Sequence, residues 1–279
     1  MTNSFFYAKI RKNKQGVFDL KKKISFIGAG NMASAMIGGM QGEICVYDKN
    51  ASQYEKFKDR KIVFADSIKY AVDFGDLIFL CVKPQNFDEI APEISACDLS
   101  GKTVVSILAG VTVSRIGSAI GSVPIIRAIP NTPMMIGKGV TGICRSENVD
   151  DRSFSEVCRA FSSLGEVVAL KEEQMNAMTA ATSSAPAYVY LFIKSIVDSA
   201  SKMGLDDRRM TEYISKMVIG SAEMLMRSGK TPDQLISMVT SPKGTTAEAM
   251  KVFEERNFSG IIDEAMIACE RRAGELAGK

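Results

Sequence analysis

The sequence predicts an α/β protein in two parts, an N-terminal doubly wound parallel sheet followed by an all-helical domain. Three observations carry this. From Ile24 to Ile129, short apolar runs of strand length alternate with helical stretches. Past about Val168 the apolar period turns helical and strand signals stop. The 279 residues, 46% of them hydrophobic, are enough for two domains. The expected boundaries are 1–23 for a basic extension, 24–168 for the sheet domain and 169–279 for the helical domain.

The extension sets Phe5, Phe6 and Tyr7 beside Lys9, Arg11, Lys12 and Lys14, and closes on Lys21-Lys22-Lys23. It lacks the apolar stretch of a signal peptide and is expected to be a poorly ordered tail. Ile24 to Ile27 then reads as a buried strand. It enters Gly28-Ala29-Gly30-Asn31-Met32-Ala33, a G-x-G-x-x-A pattern, and a helix through Met36, Ile37 and Met40. A second strand, Ile44 to Tyr47, ends at Asp48, 18 positions after Gly30 (48 − 30). In such a βαβ unit the glycines permit a tight turn and close approach of a pyrophosphate, and the helix N-terminus favours its charge. The acid at the second strand end can hold a ribose hydroxyl. The unit therefore predicts a dinucleotide site. Asp48 repels a 2′-phosphate and favours NADH; Ala33 in the third glycine position and Lys49 oppose that preference, so NADH and NADPH both stay open.

The alternation continues through a strand at Ile62-Val63-Phe64, a helix over Ser67 to Phe74, and the apolar strand Leu77 to Val82, which stops at Lys83-Pro84. A helix over Gln85 to Ile94, a strand over Thr103 to Leu108, the loop Ala109-Gly110 and a strand over Pro124 to Ile129 follow. Ligands of a doubly wound sheet bind at the carboxyl ends of its strands, where three loops are expected to converge: Gly28–Ala33, Val82-Lys83-Pro84 and Ala109-Gly110. Lys83 is placed to meet a phosphate or a substrate anion. Pro130 and Pro133 bracket Asn131 in a rigid turn that sets it against the nicotinamide or the substrate.

In the helical half, Lys171 to Ala181 reads as one helix, and Thr182 to Ala185 as a break. Pro186 stands in the first turn of the next helix, which ends at Gly204. Asp206 to Arg227 carries apolar residues at helical spacing and is closed by Gly229. Thr231-Pro232 opens another helix as cap and first position, and a last one covers Ile261 to Leu276. Between these lies Ser241-Pro242-Lys243-Gly244-Thr245-Thr246-Ala247-Glu248, a tight loop running into a helix over Ala247 to Arg256. Thr245 and Glu248 have capping-box spacing. The unpaired N–H groups of such a helix start offer a seat for a carboxylate or phosphate. Broad apolar helix faces point to burial against a second copy.

Composition limits the chemistry. There is no histidine, hence no imidazole relay and no histidine metal site. Cys45, Cys81, Cys97, Cys144, Cys158 and Cys269 form no C-x-x-C pair, which fits reduced thiols in a cytoplasmic protein and no zinc or other metal site. A formal charge of +3, mixed in sign along the chain, gives no footprint for nucleic acid. No apolar run approaches the ~18 residues that span a membrane.

Taken together, the motifs resemble those of the pyrroline-5-carboxylate reductases over nearly all of residues 24–276. They are Phe26-Ile27-Gly28-Ala29-Gly30-Asn31-Met32, Val82-Lys83-Pro84, Ala109-Gly110-Val111-Thr112, Pro130-Asn131-Thr132-Pro133, Ser184-Ala185-Pro186-Ala187-Tyr188, and Val239-Thr240-Ser241-Pro242-Lys243-Gly244-Thr245-Thr246. The resemblance implies a Rossmann-type N-terminal domain, a helical dimerisation domain and often a decamer of five dimers. It implies NADPH- or NADH-dependent reduction of 1-pyrroline-5-carboxylate to L-proline. Ile27, Gly28, Ala29, Gly30, Asn31, Met32, Cys81, Val82, Lys83, Pro84, Leu108, Ala109 and Gly110 would then line the dinucleotide. Ser241, Gly244, Thr245 and Thr246 would hold the substrate carboxylate, and Thr246 would donate to the imine nitrogen as the catalytic residue. Three features depart from the family: Lys243, where Gly, Ala or Asn is usual, is expected to point outward; Ser183 and Ala185 stand where glycines are common; and residues 1–23 have no counterpart in the short bacterial enzymes.

A cyclic imine suits a chain without histidine, because an iminium carries its own proton and needs no strong general acid. Two rivals remain at this level. A related two-domain reductase, such as a β-hydroxyacid dehydrogenase or another imine reductase, would need an acid/base lysine such as Lys194, Lys202 or Lys216. A non-catalytic dinucleotide-sensing oligomer would need no anion seat at 241–246.

Overall fold

A computed structural model describes residues 18–19 and 22–277. The expectation of a disordered tail lies outside the described residues for 1–17, 20 and 21. Phe18–Asp19 (β1) pairs in parallel with Met40–Gln41 (β3). Lys22 Nζ donates to Ser153 Oγ at 2.9 Å, and Lys23 N–H to Asp76 Oδ2 at 2.9 Å, so the described end of the basic extension is tied to the sheet domain.

Eight strands form the main sheet: β2 Ile24–Ile27, β4 Ile44–Tyr47, β5 Val63–Phe64, β6 Leu77–Leu80, β7 Thr103–Ser106, β8 Ile125–Ile129, β9 Gly139–Arg145 and β10 Gly165–Ala169. Their order is β10-β9-β8-β7-β6-β2-β4-β5. The chain leaves β2 toward one edge and returns to β6 on its other side, so the strand order reverses between them. That reversal marks the ligand crevice of a doubly wound sheet. Among the described residues, the one departure from parallel pairing is β9 against β8. A short 3-10 turn, Thr132–Ile136, ends at Gly137 in the left-handed conformation (φ 69°), and β9 starts two residues later. β9, β10 and the helix between them, Asp151–Ser162, lie where the sequence pattern assigned no element.

The pleat explains the two cores. Ile24 and Phe26 of β2 face one side with Leu77 and Phe79 of β6; Ile27, Ile78 and Leu80 face the other. The first side packs under α1 (Asn31–Gly39) and α5 (Asp151–Ser162), with Phe26 and Phe79 stacked at 4.8 Å. The second packs under α2 (Ile68–Phe74), α3 (Phe87–Ser95) and α4 (Val113–Ile120). Each such side chain contributes about 1.5–3 kcal/mol by leaving water.

The chain divides into two compact units. The sheet unit runs to Ser184 and takes back Ala268 onward; the other comprises Ala185–Ile267. By compactness the first division therefore falls at 184/185. Residues 172–183 are helical but uneven: a 3-10 turn at Glu172–Gln174, an α-turn at Met175–Met178, then π-helix over Thr179–Ser183. They are bonded to the sheet domain, with Val113 N–H donating to Glu172 Oε1 at 2.7 Å and Ser183 Oγ donating to the Pro130 carbonyl at 3.0 Å. The expected break at 182–185 narrows to Ser184, a bend between the π-helix and the next helix.

The helical unit contains α6 Ala185–Lys202, α7 Met210–Ser228, α8 Pro232–Val239, α9 Thr245–Glu255 and the first half of α10, Phe258–Ala277. Gly229 closes α7 at φ 67°. Thr231 and Gln234 form the capping box of α8. Its side chains stay largely in water, including Tyr190, Leu191, Met226 and Met238 at 60–75% exposure. Among the described residues no helix is long and apolar enough to cross a membrane.

Candidate active site

Within the sheet unit, three loops leave the carboxyl ends of the adjacent parallel strands β2, β6 and β7. The sheet bonding continues a residue past two of these strands: Cys81 N–H donates to the Ile27 carbonyl at 2.8 Å, and Ile107 N–H to the Leu80 carbonyl at 3.2 Å. Gly28 adopts φ +103°, and a Cβ there would lie 2.7 Å from the Cys81 carbonyl carbon and oxygen. Only glycine lets the first loop lie against the second this closely. Gly30 is the N-cap of α1 without a side-chain cap, and nothing lies within 4 Å of where its Cβ would be. The first N–H of α1 to find an intrahelical acceptor is that of Ser34, on the Gly30 carbonyl at 2.9 Å. Those of Asn31, Met32 and Ala33 are left to an outside acceptor. An open, uncapped helix start behind a glycine-only turn fits a dinucleotide pyrophosphate.

Asp48 is built into this loop. Its Oδ2 accepts from Ala29 N–H at 2.7 Å, and its Oδ1 from Asn50 N–H at 2.8 Å. The expected ribose acceptor is thus also a clamp between the β2 and β4 ends. Sequence reading missed Lys56, whose Nζ contacts the Ala29 carbonyl at 3.4 Å and Asn31 Oδ1 at 3.5 Å. It lies in a seven-residue 3-10 helix, Ala51–Phe57, whose periodicity carried no signal.

In the second loop, Val82 is half-buried, and Lys83 is exposed and makes no ion pair among the described residues. Pro84 opens a 3-10 turn. Cys81 contributes backbone; burial pushes its thiol far above the ordinary range, away from nucleophilic use. In the third, Leu108 is buried and Gly110 takes φ +79°; a Cβ on Gly110 would lie 2.3 Å from the Ala273 carbonyl oxygen near the end of α10. Arg115, also unforeseen, donates to the Leu276 carbonyl at 3.3 Å and makes a bidentate pair with Asp88 at 3.0 and 2.9 Å. Asn131 is buried, donating to the Thr182 carbonyl at 3.1 Å and accepting from Val140 N–H at 2.9 Å. Its amide splints the loop to β9 and the π-turn.

The second candidate region lies within the helical unit. Gly244 N–H donates to the Ser241 carbonyl at 2.9 Å, closing a turn in which a Gly244 Cβ would stand 2.4 Å from Ser241 Oγ. α9 starts at Thr245 with Gly244 as N-cap and no side-chain cap. The expected Thr245–Glu248 capping box is therefore not formed: Glu248 sits in the first turn, and the N–H groups of Ala247 and Glu248 turn to the Gly244 carbonyl at 3.1 and 3.3 Å. The N–H groups of Thr245 and Thr246, and both hydroxyls, have no partner among the described residues. Lys243 is exposed, as expected, and takes φ 59°. Of the rival acid/base lysines, Lys194 is paired with Asp198 and Lys216 with Glu212, each at i,i+4 on an exposed helix face.

The chain is similar to known proteins over most of its length. The family model for pyrroline-5-carboxylate reductase dimerisation matches residues 172–276, and that for NADP oxidoreductase coenzyme F420-dependent matches residues 23–110. The pyrroline-5-carboxylate reductase of Escherichia coli is 34% identical over 270 residues, covering 92% of this chain and 99% of that one. The chain belongs to the pyrroline-5-carboxylate reductase family. Solved reductases of this family superpose closely. The Plasmodium falciparum pyrroline carboxylate reductase with NADP bound has a TM-score of 0.86 at 26% identity, covering 93% and 100% of the two chains. The Streptococcus pyogenes 1-pyrroline-5-carboxylate reductase gives 0.86 at 26% identity, covering 91% and 98%.

Proposed function

We propose that the chain is an NAD(P)H-dependent reductase that converts 1-pyrroline-5-carboxylate to L-proline, the last step of proline biosynthesis. The observation that carries this reading is the start of α9. Two successive threonines there present N–H groups and hydroxyls with no partner among the described residues, after a turn in which a Cβ at 244 would crowd Ser241. Four donors with a helix N-terminus behind them suit a carboxylate. Hydrogen bonds to such a charged group contribute about 1.5–3 kcal/mol each and the helix end about 0.3–1 kcal/mol.

Bound NAD(P)H supplies the hydride. The uncapped α1 start, Gly28 and Gly30, with Cys81, Val82, Lys83, Pro84, Leu108, Ala109 and Gly110 at the neighbouring strand ends, would hold the dinucleotide. Ser241, Gly244, Thr245 and Thr246 hold the substrate carboxylate, and the Thr246 hydroxyl orients the ring nitrogen, its oxygen accepting from the iminium N–H. The iminium nitrogen already bears its proton, so the chain stabilises charge and orientation and supplies no strong acid. This fits the absence of histidine and the ion-paired state of Lys194 and Lys216. The functional unit is a homodimer through the helical half, assembled as a decamer of five dimers in the cytoplasm; the exposed apolar side chains of α6, α7 and α8 support the pairing.

The test is oxidation of NADPH and of NADH in the presence of 1-pyrroline-5-carboxylate, with a hydroxy acid run in reverse as control. Turnover with the imine and none with the hydroxy acid is expected. Inactivity with the imine under both cofactors overturns the reading.

A further inference from the structure

We propose that Lys56 anchors a phosphate on the adenosine 2′-position, so that this chain takes NADPH in preference to NADH. The inference rests on the dinucleotide site described above and concerns the one choice that Asp48 alone would decide the other way.

An acid at the end of the second strand marks the side of the glycine-rich loop where the adenosine ribose lies. In this chain a carboxylate and an ammonium grip the same residue there: Asp48 Oδ2 takes the N–H of Ala29 at 2.7 Å, and Lys56 Nζ takes its carbonyl at 3.4 Å. The two charges are differently committed. Both Asp48 oxygens accept from backbone N–H groups, Ala29 and Asn50, which turns the carboxylate inward and disperses its charge over two short bonds. Among the described residues, Lys56 contacts only neutral oxygens, those of Ala29, Asn31 and the Gln53 side chain, and no carboxylate. Its contacts to Ala29 and Asn31 are long, at 3.4 and 3.5 Å, and an ammonium with three donors exchanges such weak contacts for a dianionic phosphate readily. Lys49, the nearer lysine in sequence, is drawn off to Glu89 at 3.4 Å. Among the described residues, Lys56 is the lysine whose ammonium touches the glycine-rich loop itself.

The test is titration calorimetry on the full chain with 2′,5′-ADP and with 5′-AMP, using wild type, Lys56→Gln and Lys56→Arg, alongside steady-state KM values for NADPH and NADH. Wild type is expected to bind 2′,5′-ADP at least about tenfold more tightly than 5′-AMP. Lys56→Gln should lose about tenfold for 2′,5′-ADP and NADPH while leaving 5′-AMP and NADH unchanged, and Lys56→Arg should restore the difference. Equal affinity of wild type for the two nucleotides, or a Lys56→Gln protein that still discriminates, overturns the proposal while leaving the reductase reading intact. Failure to bind either nucleotide or to oxidise either cofactor removes both. Lys56 is exposed on a 3-10 helix, and unchanged thermal melting of Lys56→Gln separates lost binding from lost fold.

Discussion

Thr246 and Lys243 sit three residues apart and were legible to different degrees. Thr246 is proposed from the motif, and the structure leaves its N–H and hydroxyl without partners among the described residues, so Thr246→Ala should lower kcat while leaving the Kd for NADPH nearly unchanged. Steady-state kinetics with a parallel dinucleotide titration checks the split, and unchanged turnover would remove Thr246 from the chemistry. Lys243 was read as an outward side chain, but its φ of 59° was not foreseen. A lysine carries no sequence mark of a left-handed backbone, since that conformation is imposed by the closure of the Ser241–Gly244 turn. Replacing it with glycine should relieve about 1 kcal/mol of steric penalty, partly offset by the entropy glycine brings to the unfolded chain; a raised denaturation midpoint at unchanged KM for the imine is expected. Asp48 was placed correctly at the strand end, but its bond to Ala29 N–H depends on the loop's closed form and has no counterpart in the spacing. Lys56 and Arg115 had no signal at all, because their partners lie 27 and up to 161 positions away in the chain.

At the level of elements, β2, β4, β6, β7 and β8 were legible because each is a short apolar run bounded by a breaker. β9 was not. Its glycines, Gly139 and Gly142, dilute the apolar run, and the latter exists to pass Met178, whose Cγ would lie 2.6 Å from a Cβ there. The glycine turns give the sharpest tests. Gly28→Ala sets a side chain against the Cys81 backbone at positive φ, and Gly110→Ala does the same against Ala273. Each should destabilise the sheet unit by about 2 kcal/mol or more and weaken dinucleotide binding, read by thermal melting and NADPH titration. The buried strand and helix thiols make a third prediction. Burial pushes Cys45 up to about 11 and Cys144 and Cys158 up to about 12, so at pH 8 the native protein should leave all three unalkylated by iodoacetamide. Peptide mass spectrometry checks this, and full labelling should appear only on unfolding.

For the whole molecule, the two-part plan was legible, but which unit each helical turn packs in was not. The change from strand to helix near Val168 is real in secondary structure, yet the helical turns at 172–183 and the second half of α10 pack with the sheet unit. A helix looks the same to a sequence pattern whichever unit it touches. The apolar faces of the helical unit were read correctly as more than one copy needs for itself. Leu191→Lys, at a position 65% exposed in one copy, should weaken self-association and lower Tm, and sedimentation velocity across a concentration series measures it. A consequence also follows for the birth of the protein. Gly110 is shaped around Ala273, and Arg115 closes on Leu276, 161 residues later. At a synthesis rate of about 5–20 residues per second, that interval is roughly 8–32 s. For all of that time the dinucleotide half emerges from the ribosome with its third loop unbraced, and it is in this window that nascent chains of this protein would most need a chaperone.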